Sequence, residues 1–261
     1  MCFGLGQTPV LTPTPLSIQA PGWEEVTVHT LCLRMKESYR GLEGKAAGTA
    51  QRIFVRLGVQ VVPEGVPCEA TLTIELTGKA LSAYYIGGGN CYTGAKVSGQ
   101  VTFAVPDREP LIMPIEGQVP TPKVTSDCPE EREAPFGRAW AKPVLDALAD
   151  LWGYQVYVQA LGDEHYDVEV AARMALEEIG QEAIPVLIQL LGDKDAEVRR
   201  AVAEVLRGIG PEAKEAVPAL IHNLEDKEYR VRLITWSALH QITGQDFGED
   251  ADRWEQWWKE Q

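Results

Sequence analysis

Hydrophobic residues recur three and four positions apart along the second half of the chain, which is the spacing of one helix face. The clearest example runs from Val198 to Ile209, with apolar side chains on one side and charged side chains on the other. Gly210 and Pro211 then end the pattern, because glycine adopts the left-handed conformation that closes a helix and proline cannot continue one. The pattern predicts an amphipathic helix of about three turns.

This helical pattern is repeated. The block that begins at Val168 returns at Val198, 30 residues later, and again at Val231, after another 33. A second apolar run follows each of the first two blocks, over 184–191 and 217–224, and leads into an acidic turn. Neither helix can bury its apolar stripe alone, so repeats of this length are typical of a solenoid in which neighbouring helix pairs cover one another.

The repeat also carries a recognisable local motif. Residues 195–202 read Asp-Ala-Glu-Val-Arg-Arg-Ala-Val, which is the rhythm Asp-x-x-Val-Arg-x-Ala, and Leu206, Ile209 and Gly210 follow it. In this the sequence resembles the short HEAT-like repeats of bacterial proteins, including those of the phycobilin-lyase type. The resemblance covers about residues 138–261 and implies an α-solenoid of three to four HEAT-like helix pairs. The resemblance also implies a protein that binds another molecule on its surface rather than one that catalyses a reaction.

Both ends of the repeat region depart from the pattern. Residues 141–152 predict an apolar helix, and 154–161 predict a second helix by their position, which together make a degenerate first unit. At the other end, Asp250 is placed to cap a last helix. The tryptophans that share one face of that helix are Trp254, Trp257 and Trp258. We expect them to seal the end of the stack, with a binding platform as the alternative.

Between 22 and 125 the hydrophobic period is that of a strand. Apolar and polar residues alternate, for example from Ala70 to Leu76, which is typical of half-buried antiparallel strands. The predicted strands cover 26–35, 53–61, 70–76, 80–86, 95–105 and 111–115. Together they predict an antiparallel β-sandwich. The polar stretch 36–50 is predicted as a loop, and 87–90 as a hairpin turn, because no helix follows its glycines to bind a phosphate.

The length of 261 residues suits two domains. The predicted segments are a Thr/Pro-rich tether over 1–21, the β-sandwich over 22–125, a linker over 126–137 and the HEAT-like domain over 138–261. The net charge of −14 disfavours nucleic acid as a partner, since phosphate binding needs a cationic face. Residues 138–261 carry 13 Lys/Arg against 24 Asp/Glu, a net of −11. These acids either keep helix faces solvated or select a basic partner.

Five cysteines lie in the first half of the chain, which indicates an oxidising compartment. We predict a disulfide between Cys91 and Cys128, which would tie the linker to the β-domain. Cys32 and Cys68 are a second candidate pair, with Cys32 as a buried core residue as the alternative. Cys2 followed by a Thr/Pro spacer resembles the start of a mature bacterial lipoprotein, which implies lipidation at Cys2. An extracellular or cell-surface location follows, with a cytoplasmic location as the alternative.

No motif for chemistry emerges from the sequence. There is no Cys-x-x-Cys, no paired histidines at helical spacing and no Gly-x-Ser-x-Gly, so we assign no catalytic, cofactor-binding or metal-ligating residue. We expect a non-enzymatic protein-binding or scaffold protein, with Gln189, His222 and Asn223 on the concave face toward the partner. The alternatives are a bilin lyase-like enzyme and a protein that self-associates into a surface filament.

Overall fold

The structure is a computed structural model that describes residues 16–18, 20–23, 26–37, 45–63, 65–86, 89–119 and 134–261. It divides into two compact units, Met1–Gly153 and Tyr154–Gln261. Among the described helices, none is long and apolar enough to cross a membrane.

The first unit is built on a mixed sheet. Its strands are β1 (Leu16–Ser17), β2 (Thr27–Val28), β3 (Thr30–Glu37), β4 (Gln60–Val62), β5 (Ala70–Ile86), β6 (Gly89–Ala104) and β7 (Leu111–Val119). Its helices are α1 (Lys45–Arg56) and α2 (Ala134–Trp152). Five strands form one sheet in the order β4-β3-β5-β6-β7, and β1 pairs with β2. Strand β3 is parallel to both β4 and β5, whereas β5, β6 and β7 are antiparallel to their neighbours.

The two faces of this sheet follow from the alternation in the sequence. On β5, Leu72 and Ile74 are fully buried, while Thr71 and Thr73 are only half-buried. Helix α2 packs against β6 and β7, and α1 packs against β3 and β4. Where these elements meet, the Trp152 ring contacts other aromatic rings edge-on, with centroids 4.9 Å from Phe54 and 5.5 Å from Phe103. The apolar face is therefore covered by helices, and the other face is polar.

The expectation of an all-antiparallel β-sandwich requires correction. The strand predicted over 53–61 is the end of α1 followed by the short β4. Ile53 and Phe54 are consecutive and both fully buried, which a helix can achieve and a half-buried strand cannot. Helix α1 also supplies the crossover that the parallel pair β3 and β4 needs. It begins at Lys45, inside the stretch that was predicted as a loop.

The second unit is helical, as the repeat predicts. Its helices are α3 (Gln155–Ala160), α4 (Tyr166–Ile179), α5 (Ile184–Leu190), α6 (Ala196–Ile209), α7 (Val217–Asn223), α8 (Tyr229–Thr243) and α9 (Ala251–Lys259). Short 3-10 segments, Gly180–Ala183 and Gly210–Ala216, precede α5 and α7. The long helix α6 packs against both α4 and α8, and each of α3, α5 and α7 packs against the long helix that follows it.

Local sequence signals set the helix ends in this unit. Gly180 and Gly210 end α4 and α6 with φ values of 65° and 71°. Residues that have a Cβ atom rarely adopt a positive φ, whereas glycine does so readily. The Asp250 side chain accepts a hydrogen bond of 3.1 Å from the Arg253 N–H at the start of α9, so the predicted cap is confirmed. The predicted helix over 141–152 is also present, but it is part of α2 and packs on the sheet of the first unit.

Candidate interaction surface

Three similar loops connect the short helices of the second unit to the long helices that follow them. We call 161–165, 191–195 and 224–228 the first, second and third acidic loops. In each, an aspartate accepts a hydrogen bond from the backbone N–H two residues later, which is the geometry of an Asx turn. The pairs are Asp163 with His165 at 2.9 Å, Asp193 with Asp195 at 2.7 Å and Asp226 with Glu228 at 2.8 Å. The repeat therefore places a carboxylate at the same point of each loop.

A buried arginine joins the second loop to the third. Arg199 donates from Nε and Nη2 to the two carboxylate oxygens of Asp226, at 2.6 and 2.9 Å. Its Nη1 donates to the carbonyl oxygens of Asp193 and Lys194, at 2.7 and 3.2 Å. Burial alone would raise the pKa of Asp226, but the hydrogen bonds from Arg199 and from the Glu228 N–H lower it. The guanidinium thus ties consecutive repeats together.

The same arrangement recurs one repeat later, between the third loop and the segment before the last helix. Arg232 Nη1 donates to the carbonyl oxygens of Asp226 and Lys227, at 2.8 and 3.3 Å. Its Nε donates to Glu249 Oε2 at 3.1 Å. An arginine four residues after the loop therefore plays the same part in the second and third repeats, because it donates hydrogen bonds to loop carbonyls and to a carboxylate of the next segment.

The first repeat reverses the charge at this position. Glu169 stands where the other repeats have an arginine, and its carboxylate accepts two hydrogen bonds from Arg200 Nη2, at 2.9 and 3.0 Å. Arg200 also donates to Glu197 at 2.8 Å and to Glu204 at 3.1 Å. Burial lowers the pKa of Arg200, but its hydrogen bonds with Glu197 and Glu169 outweigh that effect, so the pKa lies above its ordinary value.

A pocket of about 410 Å³ opens between the first and second loops. It is lined by Gly162, Asp163, Glu164, Tyr166, Glu169, Asp195 and Glu197. Tyr166 is 72% exposed and offers an aromatic ring beside the carboxylates. In the described part of the chain, no three His, Cys, Asp or Glu side chains are grouped as metal ligands would be. The carboxylates that line this pocket favour the binding of a positively charged group over a negatively charged one.

The three residues predicted to face a partner are placed differently from one another. Gln189 on α5 and His222 on α7 are exposed, at equivalent positions of successive repeats. Asn223 is buried, and its Nδ2 donates to the carbonyl oxygen of Leu191 at 2.9 Å. The prediction for Asn223 is therefore corrected, because its side chain joins two repeats and is not available at the surface.

The tryptophan-rich helix α9 packs against α7 at the end of the unit. Trp254 is fully buried, its Nε1 donates to the Gly248 carbonyl at 2.9 Å, and its ring meets Phe247 edge-on. Trp257 and Trp258 remain half-buried. Trp254 is thus buried where α9 packs against the unit, while the other two keep part of their surface in solvent; that the three together seal a stack stays a prediction.

Two described cysteines of the first unit form a disulfide. Cys32 and Cys68 are bonded, with their Cα atoms 5.7 Å apart, so Cys32 is not a free core thiol. Cys2, Cys128 and the side chain of Cys91 lie outside the described residues. The Cys91–Cys128 disulfide and lipidation at Cys2 stay predictions.

Sequence comparison agrees with the geometry of the second unit. Residues 155–244 match the family model of HEAT repeats. The match supports a HEAT-like repeat protein. A crystal structure of an engineered protein shares 26% sequence identity over 42% of this chain, with a TM-score of 0.28. The match spans 53% of that engineered protein, about half its length. No curated protein matches.

Sequence reasoning missed the arginine bridges and the acidic pocket. The recurrence of Val-Arg after an acidic loop is visible at Arg199 and Arg232. What the sequence does not reveal is which carboxylate each arginine reaches, since Asp226 lies 27 residues from Arg199. The substitution of Glu169 is visible too, but its compensation by Arg200 depends on how α4 and α6 pack.

Proposed function

We propose that this protein is a non-enzymatic scaffold that binds another protein through its helical unit. The observation that carries the proposal is the HEAT-repeat match over 155–244, on a unit built of helix pairs that pack against their neighbours. Repeats of this kind usually serve protein interaction, because stacking short units produces an extended surface. We propose that the unit is a solenoid of three to four helix pairs with α5 and α7 toward the partner.

Two features of the helical unit support a partner with a basic segment. Residues 154–261 carry 11 Lys/Arg against 22 Asp/Glu, a net of −11. The pocket beside the first loop is lined by five carboxylates, of which Arg200 already binds two, those of Glu169 and Glu197. Complementary charge speeds association and excludes wrongly charged partners. Gln189 and His222, both exposed, offer polar groups that orient a bound chain without adding charge repulsion.

Affinity capture with the full chain tests this function. The expected result is one or more proteins recovered reproducibly from an extract of the source cells, with binding that weakens as salt rises. A Gln189→Ala/His222→Ala variant should bind the recovered protein about tenfold less tightly. Gln241→Ala, which removes an exposed polar side chain from α8, is the matched control and should bind normally. Reproducible turnover of a substrate with no recovered protein would overturn the proposal.

We also propose a bacterial cell-surface location, with Cys2 as the lipid-bearing residue. The Thr/Pro spacer after Cys2 supports this, as does a Cys32–Cys68 disulfide, which is typical of oxidising compartments. Mass spectrometry of the protein from its native cells is the test. We expect a diacylglycerol-modified Cys2 in the membrane fraction, and an unmodified Cys2 that follows a retained Met1 would exclude lipidation.

A further inference from the structure

One connection in the first unit crosses the sheet. Strands β4 and β5 lie on opposite sides of β3 and are both parallel to it. Val62, at the end of β4, is level with Cys32, and Ala70, at the start of β5, is level with Leu31. The connection between them must therefore pass over β3 near Cys32. We call the described residues of this connection, 63 and 65–69, the strap.

The strap is held to the polar face of the sheet. The Cys32–Cys68 disulfide bonds it to the strand beneath. Next to that bond, the Glu69 N–H donates to Thr30 Oγ1 at 3.1 Å, and the Glu69 carboxylate accepts from the His29 N–H at 2.7 Å. Successive side chains of a strand point to opposite faces, so Cys32 lies on the face opposite the buried Leu31. The strap is therefore anchored on the side of the sheet away from α1 and α2.

A groove of about 580 Å³ runs between the strap and β3. This volume lies in the range of ligand sites in proteins. Its walls combine residues of β3 with residues of the strap and of β4. The lining residues are Cys32, Leu33, Arg34, Lys36, Val62, Gly65, Val66, Pro67 and Cys68. Val66 is 45% exposed, so an apolar side chain of the strap faces solvent at the groove.

The described lining residues of the groove carry positive charge. The charged ones are Arg34 and Lys36, and none of the described lining residues is acidic. Lys36 Nζ already donates a hydrogen bond of 2.6 Å to Glu75 Oε1. Gln100 Nε2 donates to the other oxygen of that carboxylate at 3.0 Å. Arg34 is exposed, and within the described residues its guanidinium makes no hydrogen bond or ion pair. An uncommitted guanidinium binds a carboxylate with two parallel hydrogen bonds.

We propose that this groove binds the C-terminal carboxylate of a protein or peptide. Arg34 holds the carboxylate, and Val62, Val66 and Pro67 contact the apolar side chain of the last residue. A chain terminus joins a carboxylate to an apolar side chain within a few bonds, which is the combination that these walls offer. A long acyl chain would need an enclosed apolar cavity, whereas Arg34, Val66 and Pro67 are exposed to solvent.

The test uses the full chain and a synthetic peptide, acetyl-Gly-Ser-Gly-Ser-Leu-Val, as the free acid and as the C-terminal amide. Binding measured by calorimetry or fluorescence anisotropy should be at least about tenfold tighter for the free acid. Arg34→Met keeps the apolar stem but removes the guanidinium, and should remove this preference. Arg230→Met, on an exposed arginine of α8, is the matched control and should leave it intact.

Three outcomes would overturn the proposal. These are equal binding of acid and amide, an unchanged preference in Arg34→Met, and binding of decanoate in place of the peptide. A Cys32→Ser/Cys68→Ser variant provides a second test. It removes the disulfide that fixes the strap to β3, and should therefore weaken binding of the free-acid peptide. Arg34→Met should leave capture of a partner by the helical unit unchanged, so this proposal and the scaffold function fail independently.

Discussion

Arg199 on helix α6 and Asp226 in the loop that follows α7 form a bidentate ion pair. Its two hydrogen bonds have donor–acceptor distances of 2.6 and 2.9 Å. Their side chains are only 8% and 9% exposed. A pair this deeply placed contributes to stability only while both members are present, because either charge alone would remain buried without compensation. The pair therefore couples the stability of the two repeats that it joins.

Asp226→Asn should lower the free energy of unfolding at neutral pH by about 3 kcal/mol, because it leaves the Arg199 charge without its counter-ion. Folding lowers the pKa of Asp226, so its contribution is present above the unfolded pKa of about 4 and is lost as pH falls through the folded pKa. The difference between the wild type and the variant should therefore shrink below about pH 4. Urea denaturation followed by circular dichroism across this range measures both effects.

The matched control for that pair is Glu225→Gln, on the exposed neighbour in the same loop. It should change stability by less than about 0.5 kcal/mol. If both variants behave alike, the Arg199–Asp226 pair does not couple the repeats.

Thr235→Val should raise stability by about 1 kcal/mol. Thr235 is fully buried in α8, and its Oγ1 has no hydrogen-bond partner among the described residues, which costs free energy that valine avoids. Valine stands at the equivalent position of the preceding repeat, Val202, also fully buried. Thermal unfolding measures the change, and a destabilised variant would show that the hydroxyl has a partner.

Thr243→Val is the opposite control on the same helix. The Thr243 hydroxyl donates to the Leu239 carbonyl at 2.7 Å and accepts from the Gln245 N–H at 3.1 Å. Its removal should lower stability by about 1 kcal/mol. The two substitutions make the same chemical change, so their opposite signs would isolate the effect of hydrogen bonding.

Asn223→Ala should lower stability by about 1–3 kcal/mol, because the buried Leu191 carbonyl loses its donor. His222→Ala, one residue earlier and exposed, should leave stability within about 0.5 kcal/mol of the wild type. Chemical denaturation of both variants compares them. Equal losses would mean that His222, too, has a structural role.

Non-reducing peptide mapping should find two disulfides, Cys32–Cys68 and Cys91–Cys128. The first closes 36 residues, and in the chain-entropy model its reduction should lower stability by about 4 kcal/mol. The second remains a prediction from the sequence. Recovery of Cys91 as an alkylated free thiol would exclude it while leaving the first bond untouched.

The sequence predicted the helical unit well and the sheet less well, for reasons that particular residues show. Val198 to Ile209 form a helix that ends at Gly210, because helix periodicity and caps depend on neighbours within about one turn. Residues 53–61 alternate like a strand, yet the first part of that segment is helical. Its conformation depends on how Phe54 packs against Trp152, far away in the chain.

The candidate surfaces divide in the same way. Gln189 and His222 are exposed, since helix spacing places them away from the apolar stripe, and that they face a partner stays a prediction. Asn223 follows directly after His222, and its burial depends on the carbonyl of Leu191 in the preceding repeat. The groove beside Arg34 is lined by two segments that come together only when the strap crosses β3.

By itself the sequence determined the period of the repeats, the ends of their helices and the alternation of the long strands, because each of these depends on residues close together in the chain. Only the tertiary structure decided that β3 lies parallel to its neighbours, that Cys32 bonds Cys68 and that Arg200 compensates Glu169. Those relationships join residues about 30 or more positions apart. They follow from how whole elements pack, which no local pattern encodes.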